Sequence, residues 1–206
     1  MKHRPIIFNT EMVQAIVDGR KTQTRRQMNP QPKPDTETSQ GGYWFPCAAF
    51  QSMVHVEDFQ HPFSRGMAGD ACPICSVGDQ LYVRETFQVG LCTKSTIAYK
   101  ATHKPSDLEE GWNEVIKWKP SIHMPRWAAR ILLEVTAVRV ERLDDISEQD
   151  AKAEGFDYPA VPGMGWKLNA KHNFLFAWDK IYGNRSSNPF VWVIEFKVIS
   201  TTGGAA

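Results

Sequence analysis

Two stretches of alternation constrain this chain more than any other feature. Residues 190–199 set Val191, Val193, Glu195 and Lys197 against Trp192, Ile194, Phe196 and Val198, the period of two that sends successive side chains to opposite faces of a sheet. Residues 131–140 repeat the pattern through Ile131, Leu133 and Val135, then slip near Ala137-Val138, where the strand is expected to bend. Shorter strands are read at Pro5–Phe8, at Gln80–Glu85 after a Val77-Gly78-Asp79 turn, and at Thr96–Lys100. Three helices lie between them. The first runs over residues 11–18, capped by Asn9-Thr10, with Met12, Val13, Ile16 and Val17 at helical spacing and Gly19 at its left-handed end. A second starts from Ser147, with Asp150 as an acidic variant of the capping box, and carries Glu154 just before Gly155. The third spans about 169–182, its apolar face made by Phe174, Leu175, Trp178 and Ile181. Strands of mixed spacing with few intervening helices predict an α+β chain, a mixed or antiparallel β-barrel with flanking helices and inserted loops.

The 206 residues are 42% hydrophobic, enough for a real core. One domain is expected over residues 1–200, with insertions at about 29–78, 101–120 and 156–189 and a disordered tail at 201–206. Within the first insertion, residues 29–42 are rich in Pro, Ser, Thr and Gly and are read without regular structure. Residues 43–78 mix aromatics with cysteines and histidines at no clear period. No run of eighteen apolar residues and no charged-then-apolar leader pattern occurs, so no membrane partner and a cytoplasmic location are expected.

Charge is nearly balanced, 24 Lys and Arg against 23 Asp and Glu, which excludes a protein that coats nucleic acid by bulk basicity. The cations are concentrated locally instead. Gly19-Arg20-Lys21-Thr22-Gln23-Thr24-Arg25-Arg26 packs four of them with two hydroxyls directly after the first helix. As a strand, residues 22–26 send Thr22, Thr24 and Arg26 one way and Gln23 and Arg25 the other; a bulge at 20–22 would bring Lys21 to the Thr24 side. A lysine of lowered pKa can take the proton of a Thr hydroxyl while a carboxylate such as Glu154 orients the amine or protonates a leaving group. A solvated cationic turn is the plain alternative.

Three segments together resemble the signatures of the ASCH family: residues 19–26, residues 143–154, and Val193-Ile194-Glu195-Phe196-Lys197. That family belongs to the PUA-like superfamily of small β-barrels. The resemblance implies an amidohydrolase of the kind that deacetylates N(4)-acetylcytidine, with Lys21, Thr24 and Glu154 as its catalytic residues. The chain is also similar, through Val83-Arg84-Glu85-Thr86, residues 121–127 and Trp178-Asp179-Lys180-Ile181-Tyr182-Gly183, to longer ASCH proteins common in phages and prophages. On this reading the substrate is an acylated pyrimidine nucleoside, free or in single-stranded RNA, contacted by Arg20, Arg25, Arg26, Arg84, Glu85, His123, Arg126 and Trp127. His123, Arg126 and Trp127 form a combination able to stack on a base and pair with phosphate. The rival readings are a non-catalytic RNA-binding module, in which the same cations hold phosphate, and a ribonuclease.

Cys72-Pro73-Ile74-Cys75 has the spacing of half a zinc knuckle, but no second such pair follows. Cys47 with His55 or His61 would complete four ligands, and ordinary reduced thiols are the alternative. The expectation is no cofactor and no catalytic metal, with at most a structural zinc. The oligomeric state is left open.

Overall fold

The computed structural model describes residues 1–37, 41–61, 65–90, 97–107, 115–157 and 169–201. Its main sheet has five strands, β1 (His3–Ile7), β2 (Gln23–Gln27), β6 (Gln80–Arg84), β9 (Leu132–Arg142) and β10 (Phe190–Ser200), in the order β1-β6-β9-β10-β2. Only β1 and β6 run parallel; the other neighbours are antiparallel. The protein is therefore α+β with a mixed sheet. Among the described residues no backbone ladder joins the two edge strands β1 and β2, but the Arg26 guanidinium of β2 donates to the Ile7 carbonyl of β1 at 2.7 Å.

Strand β10, between β9 and β2, separates two cores by its alternation. Phe190, Trp192, Ile194 and Phe196 face the main core, and Val191 and Val193 face a second one under α4 (Glu148–Ala153) and α5 (Ala170–Tyr182). Both faces are buried up to Ile194, after which Glu195 and Lys197 are reached by solvent on the side that the helices leave uncovered. The slip foreseen in the neighbouring strand is real. Glu195 pairs with Ala137 and Phe196 with Val135, so Thr136 is the extra residue of a bulge. The Trp178 side chain is buried, while Ile181, expected on the same apolar face, is exposed because α5 turns that side outward.

Helix α1 (Thr10–Val17) begins where the Asn9 side chain accepts from the Met12 amide at 2.8 Å, and buries Val13, Ala15 and Ile16. Ser147 caps α4 in the same way, accepting from the Asp150 amide while its hydroxyl donates to the Asp150 carboxylate.

Residues 29–37 and 41–42 are more ordered than their composition suggests. Lys33–Pro34 (β3) pairs with β4 (Tyr43–Cys47), and β4 pairs with β5 (Ser52–His55). The reason is Asp35, a buried carboxylate that accepts from the Glu37 amide while its own amide donates to Gly42. Nor does the stretch after it stand apart from the main sheet. Phe45, together with Phe59 of α2 (Val56–Gln60), packs edge-on or tilted against Trp192, with ring centres 5.8 and 5.9 Å away. The next helix, α3 (Arg65–Ala71), lies against β9 and adds Ala68 and Ala71 to the same core. A hairpin of β7 (Phe87–Val89) and β8 (Ile97–Tyr99) lies over a third, smaller core with Met124, Ala128 and Ala129. Residues 108–114 of the expected 101–120 insertion, residues 158–168 of the expected 156–189 insertion, and the tail beyond Thr201 lie outside the described residues. No helix among the described residues is long and apolar enough to cross a membrane.

Candidate active site

The site is built where the end of α1 meets the end of α4. Gly19 takes a left-handed conformation, φ +72°, and folds the chain back so that the Arg20 and Lys21 amides both donate to the Ala15 carbonyl. Thr22 then donates to Ala153, and Lys21 forms an isolated antiparallel bridge with Glu154. Two residues 133 positions apart are thus aligned by backbone pairing before their side chains act.

Lys21 is completely buried. Its ammonium donates to the Gln23 carbonyl at 2.8 Å, the Glu154 carbonyl at 3.0 Å and Glu154 Oε2 at 2.7 Å. These contacts use all three of its donors. Burial lowers its pKa below the ordinary 10.5; the charge and hydrogen bond of Glu154 oppose that shift, and Arg26 and Arg25 reinforce it. Phe8 of the β1 end lies between two cations, 5.4 Å from Lys21 Nζ and 5.3 Å from the Arg26 guanidinium.

Gly155 makes this approach possible. Its φ is +96°, and a Cβ there would stand 2.7 Å from the Ala15 methyl. Gly155→Ala is expected to lower stability by about 1–3 kcal/mol, through overpacking and left-handed strain together. Thermal unfolding of the variant checks this; an unchanged midpoint would mean that α1 and α4 can separate freely.

Glu154 is shared. Its other oxygen, Oε1, meets Arg25 Nη1 at 3.3 Å, and Arg25 also reaches Glu141 at 2.8 Å and Asp150 at 3.4 Å. The network continues outward through Arg139, which pairs with Glu141, Asp150 and Glu195. Gln23 donates to the Asp150 carbonyl at 2.8 Å. Burial pushes the Asp150 pKa up, but the Ser147 hydroxyl, Arg25, Gln23 and Arg139 together hold it below the usual carboxylate value. Arg25, expected at the substrate, has a side chain with no exposure and acts on Glu154 from behind.

Thr24 is buried on the opposite face of β2 from Gln23 and Arg25, with Ile194 as its cross-strand neighbour. Among the described residues it receives no hydrogen bond from Lys21, whose three donors are already engaged. Two clefts flank the pair. One of 350 Å³ is lined by Asn9, Met12, Arg20, Glu154 and Phe156. Another of 310 Å³ opens at the bulge between Thr22, Gln23, Thr136, Asp150 and Glu195. Both fall at the lower end of the range of about 300–1,000 Å³ usual for small-ligand pockets. Arg20 lines the first and donates to the Gly155 carbonyl at 2.9 Å.

The remaining expected contacts gather elsewhere, at the end of β6. Arg84 donates to the Met124 and Ile122 carbonyls, clamping the turns that carry His123 and Trp127. Glu85 is buried in a bidentate pair with Arg130, at 2.9 and 3.0 Å. Arg126 lies over the Tyr82 ring at 4.7 Å, and Trp127 is 58% exposed. The structure therefore gathers Lys21, Arg25 and Glu154 around the β2 end, leaves Thr24 on the opposite face of β2 from Arg25, and sets His123, Arg126 and Trp127 on a separate surface.

Among the described residues no group of three or more His, Cys, Asp or Glu could hold a metal. The set Cys47, Cys72, Cys75 is not assembled: each is a buried free thiol, and His55 stacks on Trp44 and faces Asp35 and Glu57. Cys72 and Cys75 share a hydrogen bond that lowers the pKa of the Cys72 thiol and, with burial, raises that of Cys75.

No protein-family model matches the chain. No curated protein matches it in sequence either. Among solved structures, it is similar to protein EF3133 from Enterococcus faecalis V583, of the family model DUF984, at 12% identity and a TM-score of 0.41, over 97% of this chain and 82% of that one.

Sequence reasoning missed Gln23, Arg139, Glu141 and Glu195 as members of the network that runs from the buried Glu154 to the surface, and read Asp150 as a cap alone. The signal was present: charged residues recurring inside the two most apolar strands of the chain need partners there. Chemically, the arrangement can pass a proton along the short Lys21–Glu154 contact in a site closed to water, with Arg25 fixing the far carboxylate oxygen.

Proposed function

We propose that this chain is an amidohydrolase of the ASCH type, removing the acyl group from the exocyclic amine of a modified pyrimidine nucleoside such as N(4)-acetylcytidine. Its mixed sheet would be a PUA-like barrel bridged at the β1 and β2 edges by Arg26. The observation that carries the reading is the buried Lys21, held 2.7 Å from Glu154 with its pKa lowered. A lysine kept dry against a carboxylate can become a neutral amine by passing its proton to that carboxylate, and a neutral amine can serve as base.

The reaction then balances as follows. Lys21 gives a proton to Glu154, and its freed lone pair accepts the Thr24 hydroxyl proton as Thr24 Oγ bonds to the acyl carbon. Reaching Thr24 requires the Lys21 amine to leave one of its carbonyl acceptors, which a bound substrate would trigger. The carbon–nitrogen bond breaks and the departing amine takes the Glu154 proton. Water next attacks the acyl-threonine ester, giving one proton to Glu154 and releasing the carboxylic acid, and the Lys21 proton returns to Thr24. The sum is amide plus water to acid plus amine. Arg25 supports the scheme by holding Glu154 Oε1, which leaves Oε2 for Lys21.

The test is to incubate the purified chain with a panel of N(4)-acylated cytidines, free and within single-stranded RNA, and to follow release of the acid by mass spectrometry. Turnover of at least one acylated cytidine is expected, with an acyl adduct on the Thr24 peptide after rapid quenching. Absence of turnover on every member would end the hydrolase reading.

A further inference from the structure

The turn Cys72-Pro73-Ile74-Cys75 takes no part in the chemistry above and does not depend on it. The chain leaves α3 with the Cys72 amide donating to the Ala68 carbonyl at 3.0 Å, and bends at Pro73 and Ile74 before it enters β6. Contacts from outside hold the bend in place. Arg4 of β1 donates to the Pro73 carbonyl at 3.3 Å and pairs with Asp79 at 3.2 Å, and the Asp79 carboxylate accepts from the Ser76 amide. The bend brings the two sulfurs into contact: the Cys75 thiol and the amides of Ile74 and Cys75 all donate to the Cys72 sulfur.

The two thiols are unequal. The Cys75 hydrogen bond, the two amides and the charge of Arg4 favour a thiolate at Cys72 and together outweigh its burial. Donating that same hydrogen bond keeps Cys75 protonated, and burial acts in the same direction. Cys72 is 5% exposed, at the edge of the main core, and Cys75 is fully enclosed, so a reagent that reaches the pair must be small. A favoured thiolate backed by a protonated thiol is the arrangement in which one sulfur attacks and the other resolves. Among the described residues no third His, Cys, Asp or Glu joins them in a group able to hold a metal, and a structural zinc asks for four ligands.

We propose that Cys72 and Cys75 form a redox-active dithiol, which a small hydroperoxide oxidises to an intramolecular disulfide. In the first step the Cys72 thiolate attacks one oxygen of hydrogen peroxide. The S–O bond forms as the O–O bond breaks, and the departing hydroxide takes up the proton that Cys72 gave away and leaves as water. In the second step the Cys75 sulfur attacks the Cys72 sulfenic acid. The S–S bond forms, the S–O bond breaks, and the leaving hydroxide carries off the Cys75 proton. The sum is two thiols and hydrogen peroxide to one disulfide and two waters, with the sulfurs supplying the electron pair that the peroxide accepts. Sulfurs already in hydrogen-bond contact are well placed to close that bond, and an external dithiol would reopen it by exchange.

The test is to expose the full chain, freed of reductant, to hydrogen peroxide, then quench, alkylate and map the peptides by mass spectrometry. The peptide that holds Cys72 and Cys75 should lose two hydrogens and escape alkylation, at least about tenfold faster than the buried Cys47 is modified. A dithiol reductant should restore both thiols. Cys75→Ala should halt the reaction at the sulfenic acid, trapped on Cys72 by dimedone, and Cys72→Ala should leave Cys75 unmodified. The measurement on the parent chain needs no variant, so it decides the matter even if a core substitution disturbs folding. Thiols that stay reduced, a bridge from either of them to Cys47, or irreversible sulfonic acid on Cys72 without a bridge would overturn the proposal. Zinc that purifies with the chain and blocks the oxidation until a chelator removes it would overturn it too, and would return the pair to a structural metal site.

Discussion

Glu154→Ala is expected to abolish turnover and to cost the fold about 3–5 kcal/mol, the usual result of stripping one partner from a buried ion pair. Lys21 would then be a buried cation with only two carbonyl acceptors left. The reverse substitution should be milder. In Lys21→Met the Glu154 carboxylate keeps Arg25, and the side-chain volume is nearly conserved. The asymmetry has a pH signature. Lys21 already has a folded pKa below the unfolded 10.5, so between those values the unfolded chain binds more protons and stability rises with pH. Removing Glu154 removes the two influences that raise that pKa, which widens the window. The deficit of Glu154→Ala against the parent should therefore be largest near neutrality and shrink as pH climbs toward 10.5. Denaturant midpoints measured across that range check it; a deficit independent of pH would mean that Lys21 is not charged in the folded parent.

How much of this was legible beforehand depends on whether the signal was local. The alternation of residues 190–199, the slip near Ala137, the Asn9 and Ser147 caps and the Gly19 turn each depend on a few adjacent residues, and each reappears as β10, the Thr136 bulge, two capped helices and a left-handed residue. Strand order was not legible, because β1 pairing in parallel with β6 is decided by packing between residues far apart in the chain, such as His3 and Gln80. The hairpin of β4 and β5 escaped for another reason: its strands are short, and its outer face carries the apolar Pro46 and Met53 opposite the buried Phe45, Cys47 and Val54, so burial alternates without an alternation in polarity. Within the site, a motif could raise the suspicion that Lys21 meets Glu154, but the contact itself is created by a backbone bridge between distant segments, which leaves no local trace in either. Arg25 and Arg84 were read as cations awaiting ligand because a sequence does not tell a cation facing solvent from one facing a carboxylate or a carbonyl.

Thr24→Ala and Lys21→Ala are each expected to lower kcat on a cleaved substrate by several powers of ten, and the double variant should be scarcely worse than either, because a nucleophile and its base fail as one unit. Binding should divide from chemistry in the same proteins. Loss of one hydroxyl changes ground-state affinity by no more than about 1.5 kcal/mol, so the substrate Kd of Thr24→Ala should stay within about tenfold of the parent while kcat collapses. The parent rate should rise with pH through the lowered Lys21 pKa and level off below the ordinary lysine value of 10.5. The geometry makes this a demanding test, since Lys21 spends all three donors on Gln23 and Glu154 and none on Thr24. Undiminished hydrolysis by Thr24→Ala would exclude the threonine and shift the attacking group to water activated by Glu154, with Lys21 retained as a fixed positive charge facing the oxyanion. In that event the rate of the Thr24→Ala protein would fall, not rise, as pH passes upward through the Lys21 pKa, because the useful form of the lysine would be the charged one. The slope of a single pH profile therefore separates the two mechanisms even if both variants retain some turnover.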